Sequence, residues 1–327
     1  MSTVKAIRKL AKPDLLSIAD LTPGEVESIF ELSSLVKARP GEFARALAGK
    51  QLVLIFEKPS LRTRVTFEVG MGALGGRALF IDQTGSRLGA RESLPDVARN
   101  LERWVDGIVL RTFAHQTITE MAAHAAVPVV NALSDREHPC QALADYFTLL
   151  EKFHDLKPLK LAFVGDGNNV AHSLLLTAAR LGSRIAVATP PGFEPAADIV
   201  QAAVEMAAQT GASIQLTYDP EEALAGADAV YTDVWASMGQ EHEAGERRNV
   251  FASFQVDDEL MSHAAPHAVF MHCLPAHRGD EVTDAVMDSP RSVVFDQAEN
   301  RLHIQKAILL LLLGNGGNGR RSRCAHA

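Results

Sequence analysis

Short runs of Val, Ile, Leu and Phe alternate with longer stretches of helical period along most of the chain. In the first half the runs Leu52–Phe56, Ala78–Asp82, Gly107–Arg111 and Val127–Asn131 predict strands. In the second half Leu161–Gly165, Arg184–Thr189, Ser213–Thr217, Ala229–Asp233, Val269–Cys273 and Val293–Asp296 predict six more. These runs are nearly continuously apolar, as strands of a parallel sheet are when helices cover both faces. The stretches between them supply the crossover helices, so each half is expected to be a doubly wound α/β layer. Thr22-Pro23-Gly24-Glu25 has the capping-box spacing with proline at the first helical position, and Ser93 with Asp96 repeats it more weakly. A long helix is expected from His138 to about His154, and the apolar run Ala307–Leu313 predicts the buried end of a last helix.

With 327 residues the chain exceeds one ordinary core, so two domains are expected. The boundaries read from the sequence are 1–150, completed by the C-terminal helix 298–313 crossing back to it, then 151–297. Residues 314–327 form a Gly/Asn- and Arg-rich tail expected to be disordered. Hydrophobic residues make up 47% and charged residues 22%, which is ordinary globular composition. A net charge of −8 argues against nucleic acid as a partner. No apolar run is long enough to span a bilayer, and the N-terminus lacks the apolar core of a secretory signal. The three cysteines Cys140, Cys273 and Cys324 have no C-x-x-C spacing, so a disulfide framework is not expected and the cytoplasm is the expected compartment.

Ligands of open α/β sheets bind beyond the carboxyl ends of the strands. After Leu52–Phe56 comes Glu57-Lys58-Pro59-Ser60-Leu61-Arg62-Thr63-Arg64. Ser60 can cap the next helix, and a helix N-terminus carrying hydroxyls and guanidinium groups favours phosphate. It is not a P-loop, because the Gly-x-x-x-x-Gly-Lys pattern is missing. A capped surface helix with solvated arginines is the plain alternative. Gly165-Asp166-Gly167 after a strand invites a dinucleotide reading. Val170 replaces the third glycine and Arg184–Thr189 ends without an acid, so no nicotinamide site is expected.

The segment Ser60–Arg64 resembles the Ser-Thr-Arg-Thr-Arg signature of the aspartate/ornithine carbamoyltransferases, with Leu61 in place of the usual threonine. Further boxes follow in order: Arg111 at a strand end, His138-Pro139-Cys140-Gln141, Gly165–Asn169, Asp233–Gly239, His272-Cys273-Leu274-Pro275 and Phe295–Arg301. The resemblance runs from about Ser17 to Leu313. Ser237-Met238-Gly239 together with His272–Pro275 is similar to the ornithine-using members.

The resemblance implies transfer of the carbamoyl group of carbamoyl phosphate to the δ-amine of L-ornithine, giving L-citrulline and phosphate. A sister activity on N-acylated ornithine or putrescine is the alternative. Ser60, Leu61, Arg62, Thr63 and Arg111 would hold phosphate. His138, Gln141, Cys273, Leu274 and Arg301 would frame the carbamoyl group, with Arg111, His138 and Cys273 in catalytic roles. Asn169, Asp233, Ser237 and Met238 would bind ornithine. The resemblance implies no cofactor and no metal, and a homotrimer or multiple of trimers. Zinc on His272, Cys273 and His277 is disfavoured because adjacent strand residues point to opposite faces. The loop Gly85–Gly89 resembles one that reaches a neighbour's site, where Arg87 is either a phosphate ligand or a solvated arginine.

Overall fold

The computed structural model describes residues 10–236 and 243–314. The chain divides into two compact units, Met1–Cys140 with Arg301–Ala327, and Gln141–Asn300. The first holds strands β1 (Gln51–Phe56), β2 (Arg77–Asp82), β3 (Gly107–Arg111) and β4 (Val129–Leu133), with helices α1 (Pro23–Ala38), α2 (Leu61–Ala73), α3 (Leu94–Trp104) and α4 (His115–His124). All its strand pairs are parallel, in the order β2-β1-β3-β4. The chain steps from β1 outward to β2 and then returns to β3 on the other side. The switch point of the sheet therefore lies between β1 and β3, and open α/β sheets bind ligands at the carboxyl ends of such a point. Register puts Arg111 beside Phe56, and the Glu57 N–H donates to the Arg111 carbonyl at 2.8 Å, which ties this strand end to the Glu57–Ser60 segment.

Helix α5 (Pro139–Phe153) leads from the first unit into the second. The second unit repeats the plan with β5 (Lys160–Val164), β6 (Arg184–Ala188), β7 (Ser213–Thr217), β8 (Ala229–Thr232) and β9 (Val269–His272). These too are parallel, in the order β7-β6-β5-β8-β9. Its helices are α6 (Asn169–Leu181), α7 (Ala197–Thr210), α8 (Pro220–Leu224), α9 (Ala244–Phe251), α10 (Asp258–Ser262) and α11 (Asp284–Met287). The switch point falls between β5 and β8, with Val164 beside Thr232 and Thr232 beside His272. The residues that follow these strand ends, Gly165, Asp233 and Cys273, are thereby set side by side.

Local chemistry explains the element starts. Thr22 and Glu25 form the reciprocal capping box of α1, and Ser93 caps α3. Burial supplies the rest: β1 is buried from Leu52 to Phe56, and Val53, Ile55, Ile108 and Leu110 share one apolar cluster with Ile118 and Met121 of α4. Two expectations need correction. Strand β4 starts two residues later than the run Val127–Asn131 suggested. Val293–Asp296 is not a strand: it is the first turn of α12 (Val294–Leu313), so the second sheet has five strands among the described residues. The buried positions Val294, Gln297, Asn300 and Arg301 recur at helical spacing. Three of those four are polar, and a period read from apolar residues cannot see them. From Ala307 to Leu313 the helix is buried, as its apolar run predicted.

Candidate functional site

The first unit gathers a buried cationic cluster at its switch point. Ser60 caps α2 in an extended conformation, its Oγ accepting the Thr63 N–H at 3.3 Å. The first-turn N–H groups of Leu61 and Arg62 are among those that a helix start leaves without intrahelical partners. Thr63 is fully buried, and Arg301 donates from Nη2 to its Oγ1 at 2.6 Å. Helix α12 thus supplies a guanidinium to the start of α2. Arg111, His138 and Arg301 are each at least nine-tenths buried. His138 is held well below its usual pKa by burial first, then by the positive charges of Arg301 and Arg111. It is a neutral imidazole at pH 7, able to donate one N–H without carrying charge.

Other residues of the signature have different tasks. Arg64 pairs with Glu68 at 3.2 Å and lies over the Phe80 ring at 3.9 Å. Leu61 is 75% exposed, so its side chain contributes little to the packing of the helix start. Burial pushes the Cys140 thiol up to about 12, and its Sγ approaches the Asn131 carbonyl at 3.6 Å, a structural role. Glu137, just before His138, accepts the Ile18 N–H at 3.0 Å. Burial raises its pKa to about 7.

In the second unit Gln141 donates from Nε2 to Asp145 at 2.8 Å. Asp145 also accepts from Tyr231 (3.1 Å) and from Gln297 (2.8 Å). Because a carboxylate accepts only, this network fixes the amide's orientation. The buried Oε1 of Gln141 has no hydrogen-bond partner among the described residues. It is an acceptor ready for an N–H.

Across the second switch point Asp233 accepts from Asn168 Nδ2 (2.8 Å) on one oxygen and from Cys273 Sγ (2.9 Å) on the other. Asn168 also caps α6 through Oδ1, leaving Asn169 as the first helical residue. His272 is fully buried, its Nδ1 accepting from the Leu274 N–H at 2.8 Å and its Nε2 facing Glu281 at 3.1 Å. That pair shapes the turn in which Leu274 adopts φ 59°, a left-handed conformation that leucine rarely takes. Donor atoms of Asp233, His272 and Cys273 lie within 4.8 Å of one another. Strand alternation does not separate His272 from Cys273 because β9 ends at His272. Both imidazole nitrogens and the thiol are already hydrogen-bonded. His277 is no part of this triad; its N–H bonds Glu281. The substrate-loop residues Ser237 and Met238 lie outside the described residues. On either side of them Arg247 bonds the Trp235 carbonyl (2.8 Å), Glu243 (2.9 Å) and Asp166 (2.9 Å).

Sequence reading passed over Glu57, Asp145, Asn168 and the His272–Glu281 pair. Only Asn168 carried a usable signal, as an Asn directly before a helix of apolar period.

The carbamoyl-P binding domain description of the aspartate/ornithine carbamoyltransferases matches residues 13–151, and their Asp/Orn binding domain description matches 157–312. A two-domain transferase of this kind fits both switch-point clusters. The chain belongs to the aspartate/ornithine carbamoyltransferase family. The ornithine carbamoyltransferase of Thermococcus kodakarensis is 52% identical over 93% of this chain and 98% of its own length. The anabolic ornithine carbamoyltransferase of Pyrococcus furiosus is 52% identical over the same shares. A solved ornithine carbamoyltransferase structure from Pyrococcus furiosus superposes with a TM-score of 0.91 at 51% identity, covering 94% of this chain and 99% of that one. Among the described residues no helix is long and apolar enough to cross a membrane.

Proposed function

We propose that the chain transfers the carbamoyl group of carbamoyl phosphate to the δ-amine of L-ornithine, releasing L-citrulline and phosphate. The observation that carries this reading is the neutral, buried His138 held with Arg111 and Arg301 in the unit that begins α2. The identity to ornithine carbamoyltransferases over nearly the whole chain supports the choice of amine.

In this reading the phosphate dianion sits at the start of α2, against Ser60, the N–H groups of Leu61 and Arg62, Thr63, and the guanidinium groups of Arg62 and Arg111. His138 and Arg111 donate to the carbamoyl oxygen, with Arg301 beside them. Negative charge grows on that oxygen as the δ-amine adds to the carbonyl carbon, and preorganised donors in a buried site stabilise it. A neutral imidazole suits the task, since it donates a hydrogen bond without surrendering a proton. The amide of Gln141, oriented by Asp145, offers Oε1 to the carbamoyl NH2, and the turn at Leu274 offers its carbonyl.

Asp233 pairs with the α-ammonium of ornithine, Asn169 faces the same substrate, and Ser237 with the backbone around Met238 takes its carboxylate. Cys273, hydrogen-bonded to Asp233, meets the δ-amine and favours its neutral form. The amine adds to carbon, the C–O bond to phosphate breaks, and the departing phosphate takes the amine's proton. No protein base is needed, and the residues imply no metal or organic cofactor.

The family resemblance also supports a homotrimer or multiple of trimers in the cytoplasm, and the anabolic name of the Pyrococcus furiosus relative supports a place in arginine synthesis. The exposed Leu61, Val65 and Val69, spaced four residues apart on α2, suit such assembly. A citrulline assay with ornithine, N-acetylornithine, putrescine and aspartate tests the activity. Ornithine is expected to turn over fastest, and faster turnover with any other amine refutes the reading. Light scattering tests the assembly.

A further inference from the structure

Beyond β2 the chain makes two short turns, Ser86 N–H to the Gln83 carbonyl (3.1 Å) and Ala90 N–H to the Arg87 carbonyl (3.2 Å). Leu88 packs against the apolar cluster of the first sheet. The segment beyond β3 begins with Thr112 and Phe113. Backbone donors at such irregular places need an acceptor when water is excluded. A single side chain supplies it to both. Glu57 accepts the Leu88 N–H on Oε1 at 2.8 Å and the Phe113 N–H on Oε2 at 2.9 Å. Its own N–H donates to the Arg111 carbonyl at 2.8 Å, and the residue is only 4% exposed.

A second link runs parallel to this one. The Phe113 ring lies 4.6 Å from the Lys58 ammonium and 5.1 Å from the Arg87 guanidinium. The cations that precede and follow the carboxylate's contacts therefore meet on one ring, next to the strand end that carries Arg111.

We propose that Glu57 is a positioning residue for carbamoyl phosphate: its carboxylate locks the loop bearing Arg87 and the strand end bearing Arg111 to the segment leading to Ser60. The proposal rests on the reading of the first unit as the carbamoyl-phosphate half. Both Glu57 oxygens are occupied by backbone N–H groups, so it acts through the residues it holds. Anion affinity depends on cations held in place before the ligand arrives, because ordering them on binding costs free energy. A carboxylate is required chemically. Glutamine keeps the shape but has one oxygen, so its NH2 would face an N–H donor and one of the two ties is lost.

The test compares the intact chain with Glu57→Gln by calorimetric titration of carbamoyl phosphate and of inorganic phosphate, together with steady-state kinetics. Losing one charge-assisted tie is expected to weaken both anions by about tenfold. The KM for ornithine at saturating carbamoyl phosphate should stay within about twofold, since no contact to the amine site is removed. Glu57→Asp, which keeps both oxygens, should recover part of the affinity. Unchanged carbamoyl phosphate affinity in Glu57→Gln, with wild type binding normally, overturns the proposal. An equal rise in both substrates' KM overturns it too. Wild type that fails to bind carbamoyl phosphate overturns the functional reading instead. If Glu57→Gln does not fold, hydrogen exchange of the wild type decides: slow exchange at the Leu88 and Phe113 amides supports the tie, and fast exchange at both refutes it.

Discussion

In the first unit the polar groups of the site are donors and cations: a helix start, two hydroxyls, Arg111, Arg301 and an imidazole kept neutral. In the second they are acceptors gathered around a thiol, with Asp233 receiving bonds from Asn168 and Cys273, and the Gln141 oxygen left open. The two sheets share one winding plan, and each carries its cluster at its own switch point. The difference lies in which charges follow the strand ends. A fold that places residues without dictating their charge can hold an anion in one copy and an amine in the other.

The comparison breaks if damage to one cluster does not stay with its own substrate. The largest effect is expected from Arg111→Ala. If its buried guanidinium faces the developing negative charge, as proposed, its loss should lower kcat/KM for carbamoyl phosphate by about 10²–10³-fold or more. Arg64→Ala, whose side chain serves Phe80 and Glu68, is the control, and steady-state kinetics of the two should differ widely.

Next in size is Cys273→Ala. It should reduce kcat/KM for ornithine by about 10²-fold while carbamoyl phosphate affinity changes little. Equal loss for both substrates would refute the assignment of the thiol to the amine side.

The Asp166–Arg247 pair sharpens the comparison through pH. Burial raises the Asp166 pKa from 3.8 to about 6, against the opposing pull of Arg247. Folding therefore favours the protonated acid. The group's contribution to stability is complete below pH 3.8 and is lost as pH rises through about 6. Urea unfolding between pH 4 and 7 should show this loss in wild type, roughly 3 kcal/mol at most. Asp166→Asn should lack it, and an identical pH slope in both proteins would refute the assignment.

The smallest effect is expected from Leu61→Thr. The Leu61 side chain is largely exposed, and the contact proposed for the residue is its backbone N–H. Carbamoyl phosphate affinity should stay within about twofold, well under 1 kcal/mol. A marked gain in affinity would show that the usual hydroxyl matters.

Much of the site was legible because its chemistry is written in short boxes. Ser60 caps a helix by a local rule, and the Thr22–Glu25 and Ser93 caps follow the same rule. The alternation of apolar runs and helical stretches foretold parallel sheets. It failed at Val293–Asp296, where the helix buries polar groups: Gln297 reaches Asp145, and Asn300 reaches Thr148. Apolar period could not register that face. Strand alternation does not set His272 and Cys273 on opposite faces either, since Cys273 lies past the last residue of β9.

Sequence by itself determined most local matters: where the capped helices start, which apolar runs are strands, Val293–Asp296 excepted, and which residue types stand after each strand. The tertiary structure alone decided which of those strand ends are neighbours. Strand order and register set Arg111 beside Phe56 and bring Asp233 to Cys273, because parallel pairing joins residues far apart in the chain. It also decided protonation. Folding holds His138 well below its usual pKa by removing water and setting Arg301 and Arg111 near it, and no local pattern encodes that field.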